Sequence, residues 1–579
     1  MFRLISRTAF NSVSTGAKKL RLKSTKLGRC GPTIAGSRRY FSQQASTSST
    51  SKQASGRSSI AIDSKVWGVI AATGLAGLSL GLFLGSRDSS KSKSIQYASR
   101  DTMLKAVREI ESLLGSDAVS LDADVIEAHG HSDWSTSNST GRPVAITYPR
   151  TTEDVCKIAQ ICTKYNTPMV PFGAGSSVEG NFSSPYSGIC VDFIYMDKVV
   201  SFHPEDMDVV VQPGVNWMDL NKQIAQDGLF LPLDPSPTAT VGGMVSTNCS
   251  GTNAFRYGTM KDWVVNLTVV LADGRIIKTR QRPRKSSAGY NLTSLFVGAE
   301  GTLGLVTEIT LKLAVIPQDT SVAVVSFPTI KDAAAAATRL IRSGVQLAAL
   351  ELMDDVQMGV LNKHGSAAVR KRVWDERPTL FIKFSGPTQS IKGDILAVES
   401  IIKAYNAGDF FFAKTKQDEI DLWSARKEAL WTMTSIKPKG QSLWSTDVAV
   451  PISRLAEIIN ISKDDASKLG IFSSIVGHVG DGNFHEAIFY DPKNESQTQA
   501  VMDCVHKMMD RAIEMEGTVS GEHAIGLGKK SCLVDELGPA AIHLMKDLKT
   551  ALDPKWIMNP GKVFDLPTGA RAVAAAPAA

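Results

Sequence analysis

The chain has 579 residues, with 64 Lys or Arg against 57 Asp or Glu, a formal charge of +7. That excess is local: no acid precedes Asp63, and removing the twelve basic residues of 1–62 from the 64 leaves 52 against 57 acidic. A mildly acidic body argues against nucleic-acid binding, and seven scattered cysteines without a CxxC argue against a zinc–thiolate site or a disulfide framework.

Residues 1–62 are basic, rich in Ser and Thr and free of acid, the composition of a mitochondrial presequence. Residues 67–85 (WGVIAATGLAGLSLGLFLG) are uncharged over nineteen positions, which predicts one transmembrane helix, since a span of ~30 Å takes about 20 apolar residues. A matrix signal followed by a stop-transfer segment predicts anchoring in the inner mitochondrial membrane. The body would then face the intermembrane space, with a matrix-facing orientation left open.

Residues 100–142 form a helical lead-in. From 143 the pattern alternates: a strand at 143–148, a helix at 152–165 capped by Thr151 or Thr152, and a strand at 169–172. Further strands are expected at 188–193 and 209–212, a helix at 217–226, and a hairpin through Asp273-Gly274. After Pro317 the texture changes, with helices at 331–343, 391–405, 417–433 and 452–469 and a strand at 379–384. The boundary near 317 divides a domain at 143–316 from one at 317–565, and 566–579 is an Ala-rich tail. The fold class is α+β.

Four segments carry a ligand signal. Pro171-Phe172-Gly173-Ala174-Gly175-Ser176-Ser177 follows a strand, and consecutive small residues let backbone N–H groups turn inward around a pyrophosphate. Residues 240–248 (TVGGMVSTN) form a second small-residue loop. Phe255-Arg256-Tyr257-Gly258 comes next, and 298–311 (GAEGTLGLVTEITL) runs from a glycine turn into a strand. Together, in this order and spacing, they resemble the FAD-binding domain of the vanillyl-alcohol-oxidase flavoprotein superfamily, in which two α+β subdomains hold an extended flavin. The resemblance puts Gly173, Ala174, Gly175, Ser176 and Ser177 on the pyrophosphate. It puts Gly242, Asn248, Gly258, Glu300, Gly301, Gly304 and Val306 around flavin and adenine. No His lies within 171–181, so non-covalent FAD is expected.

Downstream, Gly480-Asp481-Gly482 is a turn signal between apolar runs, and a hairpin there brings His478 and His485 towards one another. Two imidazoles are too few for a metal site. Glu522-His523, at a Gly-flanked turn, adds a carboxylate and an imidazole that extended backbone directs to opposite sides. His478, His485 and Glu522 then make a 2-His-1-carboxylate set with open positions.

The pairing of G-H-x-G-D-G-N-x-H with G-E-H-x-I-G resembles the C-terminal substrate (cap) domain of FAD-linked 2-hydroxyacid dehydrogenases, over residues 135–565. That resemblance implies a Zn or Mn ion on His478, His485 and Glu522, His523 as the base, and Arg426 holding the substrate carboxylate. It also implies hydride transfer to FAD and reoxidation by cytochrome c, whose basic surface suits an acidic body. Asn559-Pro560-Gly561-Lys562 resembles the family's closing motif. Relatives acting on 2-hydroxyglutarate carry Asn where this chain has Ala487, and Lys near Ser445, so a short monoacid such as D-lactate is expected, with glycolate possible. A flavin oxidase using O2 and a binding protein on a disabled oxidase fold are the alternatives.

Overall fold

The computed structural model describes residues 95–567. The presequence, the 67–85 span and most of the C-terminal tail lie outside the described residues. Among the described residues, no helix is long and apolar enough to cross a membrane.

Three main sheets organise the chain. The first orders strands Val119–Ser120, Ala145–Thr147, Ile189–Asp192 and Met169–Phe172, the last three running parallel. Parallel neighbours need a crossover, supplied here by helix Thr152–Tyr165. Its capping box is Thr151 with Asp154, and it buries Val155, Ile158, Ala159, Ile161 and Cys162. Helix Arg100–Leu114 packs beside it. The C-terminal residues Trp556, Ile557, Met558 and Phe564 complete the same core.

The second sheet is antiparallel, ordered Val199–His203, Asp208–Val211, Leu305–Lys312, Val264–Val270 and Ile276–Lys278. Residues 240–248, expected as a loop, form helix Val241–Thr247 instead. Val241, Met244 and Val245 lock it into the core beneath this sheet, and burying three apolar side chains outweighs the low helix propensity of two glycines.

The third sheet holds eight antiparallel strands. Phe410–Phe412, Asp319–Ser326, Thr379–Gly386, Leu347–Met353, Ser473–His478, Asn483–Tyr490 and Ser442–Ser445 follow in that order, and Val448–Ala449 also pairs with Asn483–Tyr490. Helices Ile330–Ser343, Thr388–Ile402, Leu455–Lys468 and Glu495–Glu514 cover one face around Phe327, Phe384 and Phe484. The helix expected at 417–433 is two, Lys416–Lys427 and Ala429–Ile436, meeting at Glu428 (φ −85°, ψ −4°). This break sits two positions after Arg426.

Candidate active site

A cleft of about 670 Å³ has the glycine loop 173–177 in its wall as well as His478, His485, Glu522 and His523. An extended ligand can therefore touch both. Gly175 and Gly301 hold left-handed backbone (φ 63° and 70°), and a Cβ on Gly301 would run into the Pro171 ring. A Cβ on Gly173 would sit 2.7 Å from Thr240 Oγ1, itself buried without a hydrogen-bond partner among the described residues. Asn181 Oδ1, on another lining residue, is a second buried acceptor without a partner among the described residues. A cleft wall with glycines at its close approaches and uncommitted polar atoms suits a dinucleotide cofactor.

Gly242, Glu300, Gly301, Gly304 and Val306 line this cleft, whereas Asn248 and Gly258 do not. Asn248 ends helix Val241–Thr247 in a left-handed conformation, and its Oδ1 accepts from Thr259 and Lys261 N. Both residues shape the turn behind the cleft wall.

At the other end, strands Ser473–His478 and Asn483–Tyr490 form the expected hairpin, His478 opposite Asn483 and Val476 opposite His485. The two imidazole centroids are 5.4 Å apart. His478 Nδ1–H donates to Glu351 (3.0 Å to Oε1), and His485 Nδ1–H donates to the Thr446 carbonyl (2.8 Å). Each Nδ1 is thereby committed, which leaves Nε2 as the lone-pair nitrogen. Both Nε2 atoms meet Glu522 Oε1, at 3.4 and 3.0 Å. Nearby donor atoms of His478, His485 and Glu522 lie within 4.8 Å of one another.

Two lone pairs and a carboxylate oxygen repel unless a cation or proton sits among them. Burial works against a charged His478, yet Glu351 and Glu522 outweigh it and hold the imidazole well above its ordinary range. Desolvation lifts Asp481, also near His478, to about 6. The niche is electron-rich and has the donor set a divalent ion requires.

Asp447 brings Glu522-His523 to the hairpin. Val448–Ala449 pairs with Asn483 and Phe484 on one side, and Ala449 bridges to Thr518 on the other. Just before that segment, Asp447 Oδ2 accepts from the Glu522 and His523 backbone N–H groups, 2.9 Å each, and from Ser520 Oγ at 3.0 Å. Its Oδ1 accepts from Asn483 Nδ2 at 2.7 Å. Burial alone would raise this carboxyl, but Lys529 and the neighbouring imidazoles hold it far below the usual carboxylate range. A Cβ at Gly521 would collide with the Asn483 amide, so the turn closes only around glycine. Ser250 Oγ donates to Glu522 Oε2 (2.5 Å), a contact from the flavin half of the chain.

His523 stacks on His485, centroids 5.0 Å apart and planes 16° from parallel. Burial pushes its imidazole down to about 4, so it is neutral near pH 7, and its Nδ1 has no hydrogen-bond partner among the described residues. Arg426 lines the cleft, with Nε and Nη2 on Glu351 Oε2 at 2.9 and 2.7 Å. The set His478, His485, Glu522, His523 and Arg426 is thus gathered in one place.

Sequence reasoning missed Glu351 and Asp447. Glu351 had a signal, as the lone charge in Leu347–Met353, a strand buried at every position. Asp447 had none, because the backbone groups it holds, Glu522 N and His523 N, lie more than seventy residues away.

Residues 143–280 match the family described as FAD binding domain, and residues 316–563 match FAD linked oxidases, C-terminal domain. The chain is similar to a mitochondrial D-lactate dehydrogenase [cytochrome] of Kluyveromyces lactis, 44% identical and covering 82% of this chain and 83% of that protein. It is similarly related to D-lactate dehydrogenase [cytochrome] 1, mitochondrial, of Saccharomyces cerevisiae, at 44% identity over 79% and 80%. Among solved structures, p-cresol methylhydroxylase with substrate bound superposes with a TM-score of 0.67 at 18% identity, over 81% of this chain and 98% of that one. At that identity the likeness concerns the fold, and the flavin-binding architecture expected from the four segments is the one found.

Proposed function

Because this chain belongs to the FAD-linked oxidases, alongside mitochondrial D-lactate dehydrogenases, we infer that it oxidises D-lactate to pyruvate and passes the electrons to cytochrome c. The observation that carries this reading is one cleft joining the glycine loop to a His-His-Glu cluster with the His523 imidazole stacked beside it. Residues 143–316 are taken as the flavin half and 317–565 as the substrate half. FAD, held non-covalently, supplies the hydride acceptor. His478, His485 and Glu522 would hold a divalent Zn or Mn ion, which would supply positive charge that makes a 2-hydroxyl more acidic.

The rest falls to side chains. Arg426 takes the substrate carboxylate, for which a planar guanidinium is suited. His523, neutral because it is buried, accepts the hydroxyl proton, and the C2–H bond breaks as hydride leaves. Asp447 holds the backbone of Glu522 and His523, so that base and carboxylate move as one rigid turn. Ser445 and Ala487 face each other across paired strands, and both line the cleft. Neither is a cation or an amide donor for a second carboxylate, which favours a monoacid over 2-hydroxyglutarate.

The address belongs to the same proposal: a matrix signal in 1–62 and an anchor at 67–85 would tether the enzyme in the inner mitochondrial membrane, facing the intermembrane space. The decisive experiment mixes purified full-length protein anaerobically with D- or L-lactate while the flavin absorbance is followed. Bleaching by D-lactate is expected. Bleaching by L-lactate alone, or the absence of a flavin band, overturns the reading.

A further inference from the structure

Strand Leu347–Met353 lies at the centre of the eight-stranded sheet, between Thr379–Gly386 and Ser473–His478, and every residue in it is buried. Glu351 is its one charge, with 1% of its surface exposed. An ionised carboxylate so placed persists only against committed donors. Glu351 has two sets of them, from elements that do not adjoin in sequence. His478 Nδ1 lies 3.0 Å from Oε1 and 2.9 Å from Oε2, while Arg426 Nη2 and Nε reach Oε2 at 2.7 and 2.9 Å.

Both partners belong to the reacting centre of the proposed dehydrogenase, and the role of Glu351 rests on that function. We propose that Glu351 is the positioning residue that couples the metal-binding and substrate-binding halves of the site. Holding the His478 Nδ1 proton fixes the tautomer that offers Nε2 to a cation and sets the ring plane. Holding Nε and Nη2 of Arg426 fixes the guanidinium plane and leaves Nη1 uncommitted among the described residues, ready for a carboxylate. Glu351 also places a negative charge between two positive ones, Arg426 and a divalent ion, which would otherwise repel each other across a dry site.

Register makes the arrangement possible. Alternate residues of a strand face opposite ways, and Ala349 and Met353 pack in the cluster containing Trp423 and Ala425 of helix Lys416–Lys427. Glu351 shares their side of the sheet and so meets the last turn of that helix, where Arg426 stands. A one-residue slip would turn the carboxylate into the opposite core.

The test uses the full-length FAD-bound enzyme and its Glu351→Gln variant, which preserves shape and removes charge. Affinity for Zn2+ or Mn2+ is measured by competition with a chelator, flavin content by absorbance, and kcat and KM for D-lactate with and without saturating metal. Flavin content is expected to stay unchanged and metal affinity to fall about 10–100-fold. Saturating metal is expected to restore kcat while KM stays raised about tenfold or more, because Arg426 remains unmoored. A simple loss of folding would not split the two parameters in this way. Glu351→Asp, which keeps the charge but shortens the reach, is expected to shift both in the same direction by less, and it serves if the Gln variant fails to fold. Metal affinity and KM both within twofold of the parent in the variant that folds would overturn the proposal, as would full recovery of KM with metal. His485→Gln separates the two layers of argument. If that variant binds metal as the parent does, the metal reading itself fails; if it loses metal while Glu351→Gln does not, only the coupling role fails.

Discussion

His523 is an imidazole with one ring face on His485, no partner at Nδ1 among the described residues and too little solvation to carry a proton near pH 7. Removing a positioned general base typically costs about 10²–10⁴-fold. His523→Ala is therefore expected to retain FAD and lose D-lactate-dependent cytochrome c reduction by that order; a retained rate would remove His523 from the chemistry. The proposed preference for a monoacid rests on two small side chains. Ser445 and Ala487 are register partners on adjacent strands, so the double substitution Ser445→Lys with Ala487→Asn adds a cation and an amide at neighbouring points of the cleft wall. The ratio of kcat/KM for D-2-hydroxyglutarate over D-lactate is expected to rise by tenfold or more, and an unchanged ratio would show that the pair does not read the distal end of the substrate.

Among the elements, the hairpin carrying both imidazoles depends on what lies between them. Phe484 is fully buried, opposite Gly477 and Val448, and anchors the hairpin in the larger core. Phe484→Ala is expected to cost ~3–5 kcal/mol and to weaken metal retention more than flavin retention, because the cavity opens beneath the ligands and away from the glycine loop. Thermal unfolding together with metal and flavin content checks this, and equal loss of both ligands would contradict it. Element boundaries matter to the site too. The break at Glu428 ends the helix one residue beyond Arg426, so the guanidinium leaves from a last turn.

At the scale of the molecule, the two halves are sewn together by buried polar groups. Glu300, in the glycine turn of the flavin half, accepts from the backbone N–H of Ile525 (2.9 Å) and Gly526 (2.8 Å), just past His523. Asn559 in the closing motif donates to the Asn181 and Glu300 carbonyls. Burial opposes charge on His129, but its bonds to Asp192 (3.0 Å) and the Val125 carbonyl prevail and raise it above its ordinary 6.5. A raised imidazole stabilises the fold fully below its unfolded value near 6.5, and the contribution fades as pH climbs through the folded value. His129→Gln should therefore lower Tm by more at pH 5.5 than at pH 9. A deficit that is equal or larger at pH 9 would show that the charge contributes nothing. His129 also packs on Phe172, centroids 4.4 Å apart, at the head of the glycine loop, so flavin retention should follow the same trend.

The sequence by itself determined what local chemistry can encode. Helix Thr152–Tyr165 was legible from its threonine cap and apolar face, strand Met169–Phe172 from its apolar run before a glycine loop, and the hairpin from Gly480-Asp481-Gly482. Each depends on residues within a few positions of one another. His478, His485, Glu522 and His523 were legible as a set because two short motifs carry them. Other features emerged only once distant segments packed. Val241–Thr247 is a helix because a core receives it, and the break within 417–433 falls beside Arg426, which is held by a carboxylate 75 positions earlier. Asp447 and Glu351 earn their places by contacts 75 and 127 residues long, to Glu522 N and His478 Nδ1. Burial, which sets the protonation of His523 and confines Glu351 to His478 and Arg426 among the described residues, is a property of the packed molecule and has no local code.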